Sequence, residues 1–143
     1  MTAPINFSPP YISINFRKDL DVLISRWAET VNLPEFRTGY TQLLQVAKTN
    51  QAYFWLADLR LRNLPDEDSC EWYLNDFVPM AMATLTRPAY LAYLFSPTQF
   101  AKLPQASTVA AAISKVSVLH TRCFTIEHDA LEWLNSCRRL ALA

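Results

Sequence analysis

The chain has 143 residues, of which 51% are hydrophobic and 18% are charged, and its 13 basic and 13 acidic side chains balance to zero. We therefore predict one globular domain over residues 1–143. The absence of a basic cluster argues against a nucleic-acid partner. Uncharged runs such as 77–86 and 88–101 are too short, and contain too many prolines, to predict a membrane span.

Gly39 is the only glycine in the chain. Dinucleotide fingerprints, phosphate loops and nucleophile elbows all need glycine where the backbone turns tightly or approaches a ligand, so the sequence contains none of these motifs. The cysteines, Cys70, Cys123 and Cys137, form no CxxC pair. The N-terminus lacks the basic start and apolar core of a signal peptide. Together, these two features predict reduced, buried thiols in a cytoplasmic protein.

The first elements of the chain predict an edge hairpin. Residues 1–10 are rich in proline and predict an extended lead-in. Residues 11–16 then alternate between apolar and polar side chains, and a second apolar run covers 20–27. Two strands joined by a short polar turn form an antiparallel hairpin.

A well-marked helix follows the hairpin. Asn32 and Glu35 have the spacing of a capping box, and Pro34 is tolerated in a first helical turn. The apolar residues between 36 and 47 recur at helical spacing, and the polar residues 48–50 end the pattern. These features predict an amphipathic helix.

The run 52–59 is apolar on both faces, which predicts a central strand. The next helical pattern covers 66–85, where Pro79 predicts a kink or two helical pieces. The remaining predicted elements are a strand at 88–95, a loop at 98–106 with room for a short helical turn, a helix at 107–116, a short strand at 123–125 and a final helix. This order predicts an α/β fold in which four helices pack on a five-stranded, mostly parallel sheet with an antiparallel N-terminal hairpin.

Polar side chains follow the two inner predicted strands. Asp58, Arg60 and Arg62 come at the end of the strand at 52–59, and Ser96 follows the strand at 88–95. Ligands of open α/β sheets bind at the carboxyl ends of the strands. If strand alternation continues to residue 62, these side chains converge on an anionic ligand or on an acidic loop of a partner. The alternative is that the arginines form weak surface pairs with the acidic residues 66–68.

Several segments in series resemble the SpoIIAA-like family of STAS-type domains, which are small stand-alone bacterial proteins. The segments that carry this resemblance are 55–62, Trp72 with 77–79, 92–97, and 124–125 with 130–134, spread over residues 11–134. The resemblance implies a STAS-like fold. It also implies an activity of binding and regulation, without catalysis and without a cofactor.

The resemblance also implies a candidate modification site. In that family, a serine at the start of the helix after the third strand is phosphorylated, typically within Asp-Ser-Ser-Gly. The matching residues here are Asp68, Ser69, Cys70 and Glu71, so the aspartate and the first serine match, whereas the second serine and the glycine do not. Ser69 is therefore the candidate phospho-acceptor. The alternative is that Ser69 is an ordinary first-turn or N-cap serine of a helix.

We expect a non-catalytic regulatory or protein-interaction module of the bacterial cytoplasm, with no nucleic-acid or membrane partner. We expect it to be a homodimer through an exposed sheet edge or an apolar helix face. The alternative is a carrier or sensor of a small apolar or anionic ligand that lies between sheet and helices.

Two kinds of chemistry find little support. His120 and His128 have no cysteine or carboxylate at ligand spacing, so we predict no metal site. A hydrolase built from Ser96, His128 and Asp58 is a remote alternative, because no glycine elbow orients these side chains.

Overall fold

The computed structural model describes residues 9–103 and 119–142. The helices and strands in these residues are β1 Ile12–Arg17, β2 Val22–Trp27, α1 Leu33–Asn50, β3 Phe54–Asp58, α2 Glu67–Trp72, a π-helical turn Tyr73–Phe77, α3 Val78–Thr84, β4 Ala89–Leu94, α4 Pro97–Lys102, β5 Leu119–Phe124 and α5 Glu127–Leu142. The predicted helix at 107–116 and most of the predicted lead-in at 1–10 lie outside the described residues.

The described strands form one mixed sheet in the order β1-β2-β3-β4-β5. β1 and β2 pair antiparallel, and every later pair is parallel. This confirms an α/β fold with an antiparallel N-terminal hairpin and a mostly parallel sheet. β3 lies in the middle of the sheet and all five of its residues are buried, which confirms the prediction of a central strand.

Strand alternation divides the core into two clusters, one on each face of the sheet. On the first face, which we call the α1 face, α1, α2, the π turn and α3 cover side chains such as Leu23, Trp55 and Leu91. On the second face, the α5 face, Ala130 and Leu134 of α5 cover Ile24, Leu56 and Leu94. Both faces of the inner strands are therefore apolar, as is usual for parallel sheets.

The single glycine allows α1 to pack closely on the sheet. The predicted capping box is present, because Asn32 and Glu35 exchange side-chain and backbone hydrogen bonds. One turn later, Gly39 lies against the buried ring of Trp27. A Cβ at Gly39 would be 3.0 Å from Trp27 Cζ3 and closer still to Cη2. Glycine at this position thus fixes the distance between α1 and β2.

The helical segment after β3 is divided, as predicted, but the irregular part lies just before Pro79. A π turn separates α2 from α3, and Pro79 lies in the first turn of α3. Proline has no N–H and its ring collides with the carbonyl four residues earlier, here Asn75. Asn75 lies within the π turn, where the wider backbone makes room for the ring.

One predicted boundary was wrong. The last strand covers Leu119–Phe124 and not 123–125, because polar residues such as His120 and Arg122 interrupt the apolar signal while the backbone pairs with β4 along its full length. Residues 97–102 form the short helix α4, where the sequence left room for a helical turn, and Ser96 and Gln99 make its capping box. Among residues 9–103 and 119–142, no helix has the length and apolar character to cross a membrane.

Candidate functional site

The carboxyl end of β3 carries a buried carboxylate. Asp58 is the last residue of β3 and is 7% exposed. The Arg60 side chain binds it at both oxygens, since Nε donates to Oδ1 and Nη2 donates to Oδ2, each at 2.9 Å. The backbone N–H of Arg60 also donates to Oδ1, at 3.2 Å. The predicted convergence of Asp58 and Arg60 is therefore present.

Two residues that the sequence did not single out complete this cluster. Arg26, opposite Asp58 in the register of β2 and β3, donates through Nη1 to Asp58 Oδ2 at 2.9 Å and to Glu127 Oε1 at 2.8 Å. Glu127 begins α5, and its Oε1 lies 3.7 Å from Arg60 Nη2. We call these four residues, Arg26, Asp58, Arg60 and Glu127, the ion network. Its two positive and two negative charges cancel.

The ion network keeps both of its carboxylates ionised. Burial alone would raise the pKa of Asp58, but hydrogen bonds from Arg60 and Arg26 outweigh it and hold the pKa below the ordinary value. The hydrogen bond from Arg26 lowers the pKa of Glu127. Each carboxylate is thus engaged with guanidinium groups and is a poor proton acceptor at neutral pH.

Arg62 does not join the ion network. β3 ends at Asp58 and the chain then turns, with the Arg62 N–H donating to the Leu59 carbonyl at 3.1 Å, so strand alternation does not extend this far. The condition for Arg62 to converge with Asp58 and Arg60, that strand alternation continues to residue 62, is therefore not met. Its guanidinium lies on the α1 face, 4.6 Å from the ring centroid of Trp27 and 5.1 Å from that of Phe36. The residue is 5% exposed.

The alternative pairing of the arginines with residues 66–68 is absent as well. Within the described residues, neither Arg60 nor Arg62 forms an ion pair with these acids. Asp66 is instead the N-cap of α2, where its Oδ1 accepts the Ser69 N–H at 2.8 Å. Ser69 is 5% exposed in the first turn of α2. This position matches the first-turn alternative, and whether Ser69 is also a phospho-acceptor stays a prediction.

Ser96 is the N-cap of α4 and forms a capping box with Gln99. Its Oγ accepts the Gln99 N–H at 3.1 Å, and Gln99 Oε1 accepts the Ser96 N–H at 2.8 Å. This arrangement fixes the Gln99 side chain, whose Nε2 donates to the carbonyls of Leu59 and Arg62, both at 2.8 Å. Ser96 therefore caps α4, and Gln99 joins α4 to the loop after β3.

Large apolar side chains are exposed at the same end of the sheet. Leu61 follows β3, Phe100 lies in α4 after β4, and Ile126 follows β5; they are 70%, 42% and 56% exposed. Each is the sequence neighbour of a residue held by the contacts described above, namely Arg60, Gln99 and Glu127. We call Leu61, Phe100 and Ile126 the apolar edge triad.

Within the described residues, the other candidate groups make contacts of their own. In residues 9–103 and 119–142, no three histidine, cysteine or acidic side chains are grouped to hold a metal ion. His128 Nε2 lies 3.6 Å from Glu132 on the exposed side of α5, and His120 stacks on Tyr90. The hydrogen bonds of Ser96 and Asp58 are made to Gln99 and to arginines, not to His128.

The cysteines are half-buried rather than fully buried, and none forms a disulfide. Burial raises the pKa of the thiol groups of Cys70, Cys123 and Cys137, which makes each a weak nucleophile at neutral pH.

No known protein-family model matches this chain, and no curated protein matches it in sequence. The geometry at the carboxyl edge of the sheet is therefore the main evidence on function.

Proposed function

We propose that this chain is a non-catalytic regulatory or protein-interaction module of STAS type, and that its partner protein binds at the carboxyl edge of the sheet. The observation that carries the proposal is the apolar edge triad, whose side chains follow three neighbouring strands and are all exposed. Exposed apolar groups beside charged groups are typical of protein-binding surfaces.

The triad is supported by a rigid frame. The bidentate contact of Arg60 with Asp58 holds the residue before Leu61, and the contacts of Glu127 with Arg26 hold the residue after Ile126. Gln99, the neighbour of Phe100, joins two loop carbonyls. A surface that is already ordered loses little conformational entropy when a partner binds, which favours affinity.

Site-specific photo-crosslinking in the source cells tests this proposal. A photoreactive amino acid at 61, 100 or 126 should crosslink the same partner. One at 140 should not, because Leu140 is more exposed than any of the three but lies near the far end of α5. The triple variant Leu61→Ser, Phe100→Ser, Ile126→Ser should retain its circular dichroism spectrum and lose the partner. Unchanged partner capture by that folded triple variant would contradict the proposal.

We also propose that the module is a homodimer. β1 is the first strand in the sheet order, and within the described residues its outer edge pairs with no strand. Exposed strand edges are ready sites for pairing with a second chain. Native mass spectrometry of the purified protein at micromolar concentration should show twice the chain mass of 16.4 kDa. A spectrum that contains only the monomer at that concentration would remove the homodimer from the proposal.

The second candidate function, a carrier or sensor of a small anionic ligand, is favoured by one observation, the burial of Arg62 among aromatic rings. No described contact favours a hydrolase.

A further inference from the structure

Arg62 is a buried cation that pairs with none of the acidic side chains. All 13 acidic side chains lie in residues 19–132, at positions that the structure describes, so their distances to Arg62 are all defined. None of their oxygens lies within 4.0 Å of the Arg62 guanidinium. Buried charges are ordinarily paired, because an unpaired charge is costly to remove from water.

Two buried side chains in this region have unused hydrogen-bond donors. Arg62 Nη1 donates to the Tyr40 hydroxyl at 3.1 Å, which is its only side-chain hydrogen bond to the described residues. Its Nε and the indole Nε1 of Trp27 are both buried and have no acceptor within the described residues. The guanidinium carbon lies 4.6 Å from the centroid of the Trp27 ring, so the two side chains with unused donors are in contact with each other.

The walls of this region are aromatic. The guanidinium carbon lies 4.6, 5.1 and 5.7 Å from the ring centroids of Trp27, Phe36 and Tyr40. Cation–π contacts of this kind offset part of the desolvation cost, but they do not neutralise the charge. The rings also restrict what fits beside Arg62 to a planar or apolar group.

A tyrosine pair and the π turn adjoin the same region. The hydroxyls of Tyr73 and Tyr93 are hydrogen-bonded to each other, and Tyr73 begins the π turn. Burial raises the pKa of both hydroxyls, and the charge of Arg62 opposes that rise, so its field reaches the pair. π turns are frequent at functional sites.

We infer that Arg62 anchors a site for the carboxylate of a small organic acid with a planar apolar body, bound on the α1 face of the sheet. The Nε edge of a guanidinium binds a carboxylate through two parallel hydrogen bonds, and one carboxylate cancels the one uncompensated charge. The aromatic rings receive the body of the acid. Because Arg62 is 5% exposed, the acid enters when the loop between β3 and α2 opens. This site lies on the other face from the ion network; it rests on the second candidate function, the carrier or sensor of an anionic ligand, and not on the proposed protein-binding function.

Benzoate is the probe that tests the inference. In wild-type protein at constant ionic strength, millimolar benzoate should raise the melting temperature and shift the indole N–H resonance of Trp27, assigned with the variant Trp27→Phe. Chloride should have neither effect. Phosphate, which is not planar, should bind at least tenfold more weakly than benzoate. Equal shifts with chloride, or tighter binding of phosphate, would overturn the carboxylate assignment.

Two arginine variants provide the comparison. Arg62→Met should weaken benzoate binding at least tenfold, and without benzoate it should be no less stable than wild type, because it removes an uncompensated charge. Arg87→Met is the matched control, since Arg87 also lies over an aromatic ring, 4.2 Å from the centroid of Tyr53, and should bind benzoate as wild type does. If Arg62→Met does not fold, Arg62→Lys, which keeps the charge but loses the paired donors, should show the same weakening. Benzoate binding that is equal in wild type and in the folded Arg62 variant would overturn the inference.

Discussion

Arg26 and Asp58 occupy paired positions at the carboxyl ends of β2 and β3, and Arg26 Nη1 donates to Asp58 Oδ2 at 2.9 Å. The same nitrogen donates to Glu127 Oε1 at 2.8 Å. One arginine therefore joins two strands of the sheet to the first residue of α5, across 101 residues of sequence. Leu61 and Ile126 are the sequence neighbours of Arg60 and Glu127, so we expect the stability of the network and the order of the proposed binding surface to be linked.

Replacing Asp58 should destabilise the fold. Asp58→Asn leaves Arg26 and Arg60 without their shared charge, and we expect a loss of about 1–3 kcal/mol in the free energy of unfolding, measured by urea titration. The control is Asp19→Asn, because the pair of Arg17 and Asp19 is exposed to solvent and its loss should change the free energy of unfolding much less. Equal effects of the two substitutions would show that the ion network does not stabilise the fold.

Acid should weaken the same contacts. The folded-state pKa of Asp58 and of Glu127 lies below the ordinary values of 3.8 and 4.5, so the unfolded chain binds protons more readily than the folded one. Their contribution is complete above the ordinary pKa values and is lost as the pH falls through the folded ones. Urea midpoints measured from pH 7 to pH 3 should therefore fall most steeply below about pH 5.

The double variant Asp58→Asn, Glu127→Gln is the control for this pH dependence. Its midpoints should fall less steeply with acid than those of wild type, because the two groups no longer titrate. An acid slope equal to that of wild type would assign the pH dependence to other carboxylates.

Adding a methyl group to the only glycine should be harmful. In an ordinary helix, Gly→Ala stabilises by roughly 1 kcal/mol. In Gly39→Ala, however, the new Cβ would collide with the buried ring of Trp27, and we expect a net loss of about 1–3 kcal/mol. Adding Trp27→Phe should make the same change at Gly39 less costly, and a thermal-melt cycle of the four proteins measures this coupling. Additive effects would show that the two residues do not clash.

The burial of Ser69 predicts how substitutions there behave. Ser69→Ala should cost less than about 1 kcal/mol, whereas Ser69→Glu places a charge in a buried first turn beside Glu67 and Asp68 and should cost about 2 kcal/mol or more. If Ser69 is a phospho-acceptor, the modified chain should show faster amide exchange in α2, measured by mass spectrometry after incubation with ATP and a cognate kinase. Rapid phosphorylation with unchanged exchange would contradict the structural role assigned to Ser69.

Local patterns in the sequence predicted much of the fold because the forces behind them are local. The capping box of Asn32 and Glu35, the apolar stripe of α1 and the doubly apolar β3 each depend on neighbours within a few residues. The full length of β5 could not be predicted, because backbone hydrogen bonds pair it with β4 whether its side chains are polar or apolar.

The candidate site was predicted only in part, for a related reason. Asp58 was identified as a strand-end carboxylate, but Arg26 reaches it through the register of two strands, which the sequence does not encode locally. A polar pair, Ser25 and Arg26, inside an apolar strand was the available signal. The direction of Arg62 was left conditional on the length of β3, and the sequence does not show that this strand ends at Asp58.

The π turn also determines which sequence changes this protein can accept. Trp72, Tyr73 and Phe77 surround the ring of Tyr40, with centroids 6.5, 5.2 and 5.1 Å away. Deleting one residue between 73 and 77 would restore an unbroken α-helix. The side chains of α3 would then be rotated by about 100° about the helix axis. Val78 and Ala81, which are now buried, would then turn away from the core. We therefore expect substitutions between residues 73 and 77 to be tolerated far better than insertions or deletions there.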